Sequence, residues 1–312
     1  MINLSIVIPV YNSEISIYNL VKKINDTFTS EKIEIILVND NSKDKSHEEC
    51  LRAHNDFGER VLYLKLAKNV GEHNAVMAGL NYSSGEWLII MDDDFQNPPN
   101  EALKLYNFSQ QSDYDVVYCN YKKKKHSYFR NFISKINDLT ANVILDKPKN
   151  IYLSSFKCIR KKLIKQIIKY KGPSPYIDGL ILQNTLNLGN IESEHEERKN
   201  GQSNYTMFKL MKLYSNLFIN FSTVPIHFFS ITGLIISIIG VLFAILIVIE
   251  KINNPNLPAG YSSLIAIIIF FSGIQLIFLG LLGEYIGKIL KKVNDENQYF
   301  IDFEKSKIDK NN

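Results

Sequence analysis

Cysteine is scarce in this chain of 312 residues: three occur, Cys50, Cys119 and Cys158, far apart and odd in number. That excludes a disulfide framework and any Cys-x-x-Cys metal site, and reads as reduced thiols packed inside a cytosolic domain. No Gly-x-Gly-x-x-Gly follows the first strand-like run, which disfavours a dinucleotide site, and no Gly-Lys-Ser/Thr of the Walker type occurs. The formal charge of +4 is mild, and no nucleic-acid partner is expected. The N-terminus shows no cleavable signal, because residues 1–10 are too short and run straight into a strand pattern. The most consequential absence is of charge. Residues 213–249 contain no Asp, Glu, Lys or Arg, and neither do residues 252–283.

Each uncharged run exceeds the ~20 residues needed to cross a bilayer core, and neither keeps the polar face of a soluble helix. Two transmembrane helices are therefore expected at about 226–249 and 262–283, within a segment 225–290. Lys209 and Lys212 precede the first, while Lys288, Lys291 and Lys292 follow the second. The positive-inside bias then puts both termini in the cytoplasm of a multi-pass protein of the cell (plasma or inner) membrane. Residues 205–224 carry apolar side chains at helical spacing (Met207, Leu210, Met211, Tyr214, Leu217, Phe218) and read as an interfacial amphipathic helix. Residues 291–312 form a cytosolic tail.

What is present is a folded N-terminal region, with 46% hydrophobic and 22% charged residues in the whole chain. Short apolar runs at 4–10, 33–38, 61–66 and 87–91 alternate with helix-like stretches, one with apolar spacing at Ile15, Leu20, Val21 and Ile24, another at 74–82. The pattern implies an α/β domain over 1–204, a mostly parallel sheet with helices on both faces. Polar residues gather where strands end: Tyr11-Asn12, Asp40, and Asp92-Asp93-Asp94 before Pro98-Pro99. A doubly wound sheet brings such ends to one edge, where ligands bind. Asp92 and Asp94 form an Asp-x-Asp pair of hard oxygen donors suited to Mg²⁺ or Mn²⁺ on a diphosphate. Asp93 is the member of the three expected to be expendable.

Four segments carry a resemblance: Ile8-Pro9-Val10-Tyr11-Asn12, Val38-Asn39-Asp40-Asn41-Ser42, Lys68-Asn69-Val70-Gly71 and Met91 to Pro99. Their order resembles the family 2 inverting glycosyltransferases of GT-A fold. The layout is similar to the branch that glycosylates polyprenyl phosphates, which includes dolichol-phosphate mannosyltransferases and bactoprenol glucosyltransferases. Tyr176-Ile177-Asp178-Gly179, Glu194 to Arg198 and Gly201 to Tyr205 most resemble the undecaprenyl-phosphate formamidoarabinose transferases. There are departures. Asn39 stands where the family has a first Asp, Ser13 where an acid follows Tyr-Asn, and Lys157 where Phe-Arg is usual. Trp87 is the sole tryptophan, so the Gln-x-x-Arg-Trp element of processive synthases is absent.

The resemblance implies transfer of a sugar from a nucleotide sugar, UDP-linked by preference, to a polyprenyl (undecaprenyl) phosphate at the cytoplasmic membrane face. The product would serve cell-envelope glycan or lipid modification. It assigns catalysis and Mg²⁺ or Mn²⁺ binding to Asp94 and Asp92, and donor binding to Pro9, Tyr11, Asn12, Glu14, Asp40, Asn69, Asp92 and Gln96. Acceptor phosphate binding falls to Lys122, Arg130, Lys157, Arg198, Ser203 and Tyr205. Lys122 to Lys125 with Arg130 reads equally as an acceptor-phosphate cluster or a solvated basic loop, with contact to anionic headgroups a third reading, and His195 reads as structural. Two other readings stay open: transfer to a non-lipid acceptor, and a noncatalytic nucleotide-sugar-binding membrane scaffold. A homo-oligomer, dimer or tetramer, is compatible with a hairpin anchor.

Overall fold

The computed structural model describes residues 2–121, 148, 151–193, 224–253, 260–293 and 297–307. They fall into two compact units, one drawn from residues 1–204 and 295–312 and the other from 205–294.

Strand β1 (Leu4–Val10) is the centre of the first unit. Its sequence, Leu-Ser-Ile-Val-Ile-Pro-Val, is apolar on both faces, as a strand covered on both sides must be. Leu4, Ile6, Ile8 and Val10 enter the main core with Ile17, Leu20 and Ile24 of helix α1 (Ile17–Thr27) and Cys50 and Ala53 of α2 (Ser46–Phe57). The opposite face meets α3 (Glu72–Asn81), which lies so close that a Cβ on Gly79 would run into a Val7 methyl. Helices therefore cover both faces of the sheet. The N-terminal limit of α1 differs from expectation: Ile15 precedes the helix and is 67% exposed.

β2 (Ile33–Asn39) and β3 (Val61–Lys65) extend the sheet in parallel on one side of β1, and β4 (Trp87–Ile90) joins its other side in parallel. After α4 (Pro99–Gln111) come β5 (Val116–Tyr121) and β6 (Lys157–Arg160). Helices α5 (Lys161–Ile167) and α6 (Ile177–Asn184) precede β7 (Leu188–Ser193). Among the described residues the sheet has order β3-β2-β1-β4-β6-β5-β7. β6 alone runs antiparallel to its neighbours, so the mostly parallel sheet is borne out.

The strand order reverses at β1, with β2 on one side and β4 on the other. A crevice at the carboxyl ends of β1 and β4 follows from that reversal. Pro9 marks where they part. Val7 O accepts from Met91 N, and Val10 O from Asp40 N, so alternate residues of β1 face β4 and β2. Pro9 shares the parity of Val7, and β4 pairing ends at Val7 and Ile90. A proline with no N–H fits there without breaking a ladder bond.

All three Cys side chains are buried and unpaired, as expected of packing residues. The tail has a partner: residues 297–307 return to the first unit and bridge the outer edge of β3 at Tyr63–Lys307 and Leu66–Ile301. In the second unit the described residues include two helices, α7 (Val224–Asn253, 30 residues) and α8 (Tyr261–Val293, 33 residues). Exposed apolar side chains stud both, among them Ile231, Ile235, Leu242, Leu246, Leu264, Ile268 and Leu276. Taken over the described residues alone, no helix is long and apolar enough to cross a membrane.

Candidate functional site

Three loops leave the carboxyl ends of β1, β2 and β4 and lock together through short side chains. The β1 and β4 loops meet at Asp93: its carboxylate accepts from Tyr11 N at 3.1 Å and from the Ser13 hydroxyl. The β1 and β2 loops are stitched by reciprocal bonds. Asn12 N donates to Ser42 Oγ at 3.0 Å, Lys43 N to Asn12 Oδ1 at 2.9 Å, and Lys45 N to Glu14 at 2.8 Å. Among the described residues every non-glycine with positive φ lies in these loops: Asn12 (55°), Asn41 (52°) and Phe95 (62°). Asparagine tolerates that region, but Phe95 is held there by its surroundings, the kind of strain that collects at ligand sites.

Asp40 follows β2 and is buried. Its two carboxylate oxygens accept from Val70 N at 2.7 Å and Gly71 N at 2.8 Å, while Asn69 Nδ2 donates to its carbonyl at 3.1 Å. Burial pushes the Asp40 carboxyl up, and the two amide donors pull it back. Asp40 thus shapes the Asn69–Gly71 turn, where Gly71 has φ 89° and opens α3.

Asp92 and Asp94 are half-buried in the β4 loop. Asp92 accepts from Ser155 Oγ at 2.8 Å, which ties it to the segment entering β6, and Gln96 N donates to Asp94 Oδ1 at 3.0 Å. Pro98 and Pro99 then end the loop and start α4, proline being suited to the first helical turn. Among the described residues no group of three His, Cys, Asp or Glu side chains could hold a metal ion. Two carboxylates at a crevice fit a different arrangement, in which Mg²⁺ is held by one or two carboxylates plus substrate phosphates.

The structure thus brings Tyr11, Asn12, Glu14, Asp40, Asn69, Asp92, Asp94 and Gln96 onto adjoining loops of one sheet edge, with Pro9 just before them in β1. Tyr11 is 42% exposed, its side chain open to solvent. Asp93 differs from expectation. It is the bolt between two loops, and burial pushes its carboxyl up to about 6.

Lys157 also differs. It is buried, its ammonium is paired with Asp178, and Tyr118 Oη donates to the same carboxylate oxygen at 3.0 Å. A lysine so neutralised is not offered to an acceptor phosphate. Lys122, Arg130, Arg198, Ser203, Tyr205 and His195 lie outside the described residues, as does the expected helix 205–224 except for its last residue.

Sequence reasoning missed Glu72 and His73 at the start of α3. Glu72 is exposed by surface area, although protein packs around its carboxyl. Burial, then the charge of Asp92, pushes it up to about 7. Burial takes His73 down to about 4, and its ring meets Tyr176 edge-on at 5.2 Å. Their position directly after the Asn69–Gly71 turn was the available signal.

Comparison with known proteins decides the family. The Glycosyl transferase family 2 model matches residues 5–168. This chain is a family 2 glycosyltransferase. Among similar family members, the undecaprenyl-phosphate 4-deoxy-4-formamido-L-arabinose transferase of Edwardsiella ictaluri is 34% identical over 95% of this chain and 92% of its own length. The uncharacterized glycosyltransferase YkcC of Bacillus subtilis is 30% identical over 96% of this chain and 93% of its own. Among solved structures, glucosyl-3-phosphoglycerate synthase of Mycobacterium tuberculosis, in complex with Mg²⁺ and UDP, superposes with TM-score 0.53 at 14% identity. That match covers 70% of this glycosyltransferase and 77% of the synthase, and it supports the fold.

Proposed function

We propose that this glycosyltransferase moves a sugar from a nucleotide sugar, UDP-linked, to undecaprenyl phosphate or a similar polyprenyl phosphate. The observation that carries the reading is the pair Asp92 and Asp94 at the β1–β4 crevice, in a chain similar over 95% of its length to a transferase with that acceptor. An acceptor phosphate oxygen attacks the anomeric carbon, the bond from that carbon to the diphosphate oxygen breaks, and the configuration inverts. No general base is required, because a phosphomonoester with second pKa ~6 is already an anion at neutral pH. Asp92 and Asp94 would hold Mg²⁺ or Mn²⁺ against the diphosphate, and the ion when bound would offset charge on the leaving group. The Asp40 region and the Tyr11–Asn12 turn frame the nucleoside. Orientation and electrostatics then carry the rate.

The membrane reading rests on the sequence run of α7 and α8. Helices of 30 and 33 residues are about 45 and 50 Å long at ~1.5 Å per residue, and α7 has no charged residue before Glu250. The chain leaves the first unit for these helices and returns to it with residues 297–307, which supports an even number of crossings. The flanking lysines favour the cytoplasmic face for both ends. The test is release of nucleoside diphosphate from a panel of nucleotide sugars in detergent. Release that requires added undecaprenyl phosphate and falls by at least a hundredfold in Asp94→Ala is expected. Release indifferent to the lipid would favour a non-lipid acceptor.

A further inference from the structure

The described part of the C-terminal tail does more than cover a sheet edge. Lys307 and Tyr63 exchange backbone bonds of 2.8 and 3.1 Å, Asp302 N donates to Lys65 O at 2.8 Å, and Ala67 N donates to Phe300 O at 2.8 Å. Lys65 N donates to Ser306 Oγ at 3.0 Å, and Ile301 and Ser306 are buried. The β3 edge is thus occupied up to the residue before Lys68-Asn69-Val70-Gly71, the turn that grips the Asp40 carboxylate. The tail also reaches across to a second loop: Gln298 Nε2 donates to Tyr170 O and to Gly172 O, both at 2.8 Å.

These contacts close a ring. Asn74 Nδ2 donates to Val70 O at 2.9 Å and reaches Pro173 O at 3.5 Å, the limit of a hydrogen bond, a weak second contact between the two loops. The tail contacts the same two loops at Ala67 and at Gly172. On the first loop the joints at Ala67 and Val70 bracket Lys68 and Asn69; on the second they fall on the adjacent residues Gly172 and Pro173, from which the chain runs to the Tyr176 ring against His73. A short loop pinned at both ends keeps its backbone amides aimed, and here the aimed amides are those of Val70 and Gly71 at Asp40.

We infer that the C-terminal tail is a positioning element for the donor site, and that Gln298 is its key residue, setting the Lys68–Gly71 turn and residues 172–176 so that Asp40 and its surroundings receive the nucleoside. The inference rests on the donor reading proposed above. Gln298 touches no reacting atom, so its loss acts on donor affinity and leaves the chemical step alone.

The experiment uses the full chain in detergent with three proteins: wild type, Gln298→Ala, and Gln298→Glu, which keeps the size but puts a carboxylate against two carbonyls. UDP with Mn²⁺ is the calorimetric probe, and hydrogen exchange is followed at 68–71 and 172–176. Both variants should bind UDP about fivefold more weakly or worse, raise donor KM by a similar factor with kcat within twofold, and exchange faster at Val70 and Gly71. Melting temperatures close to wild type separate this from general unfolding. Equal UDP affinity and equal exchange in all three proteins would overturn the tail's role. A wild type that ignores UDP would refute the UDP reading instead, and the exchange at 68–71 would still decide the tail: faster in the variants supports it, unchanged refutes it.

Discussion

Lys157 and Asp178 show how a residue's neighbours change its meaning. In the sequence Lys157 stands where the family has an arginine, which suggested a phosphate contact. In the fold β6 carries it inward, opposite Ile90, to a carboxylate that also accepts from Tyr118. Removing one member of a buried pair leaves an uncompensated charge, at a cost of about 3–5 kcal/mol. Asp178→Leu should therefore destabilise the protein strongly, while Asp178→Leu combined with Lys157→Met should recover most of the loss; denaturant midpoints of the three proteins check this. His73 offers a second residue-scale test. Its folded pKa of about 4 lies below the ordinary 6.5, so the folded state binds fewer protons between those values. The stability it contributes is present above pH ~6.5 and lost as pH falls towards 4. His73→Phe keeps the edge-on packing against Tyr176 and should flatten the melting temperature against pH in that window. An unchanged slope would place the acid sensitivity elsewhere.

At the scale of elements, legibility follows sequence distance. The first four strands and the acidic loop were readable because each is a continuous apolar run ended by polar or turn residues, a signal held within about ten positions. The edges moved little: the expected strand 33–38 is Ile33–Asn39, and the expected helix 74–82 is Glu72–Asn81. The partners were not readable. Lys65 and Ser306 are 241 positions apart, and Ser13 and Asp93 are 80 apart, so only the strand order brings them together. That is why Asp93 looked dispensable in sequence and is a loop bolt in the structure. The α3–sheet contact makes its own prediction. With a Val7 methyl in the place a Cβ would need and a Val38 methyl 3.3 Å from it, Gly79→Ala should overpack the face and cost about 1–3 kcal/mol, read as a lowered denaturation midpoint. A stability within ~0.5 kcal/mol of wild type would mean that α3 can slide away without penalty.

For the whole molecule, the sequence of units is the informative fact. The chain builds the α/β unit, makes helices α7 and α8, and comes back to bridge the edge of β3. If α7 and α8 anchor the enzyme as proposed, alkaline carbonate should leave the full chain in the membrane pellet. A chain recovered in the supernatant would argue against insertion. The central claim is that the Asp92–Asp94 crevice passes a sugar to a lipid phosphate, and its most direct measurement follows label between phases. Purified enzyme is given radiolabelled nucleotide sugars, undecaprenyl phosphate and Mg²⁺ or Mn²⁺, then extracted with organic solvent. With at least one donor, label should enter the organic phase only when the lipid and the cation are both present, and Asp94→Ala should abolish it. Label that stays aqueous for every donor, or that reaches the lipid unchanged in Asp94→Ala, would contradict the account.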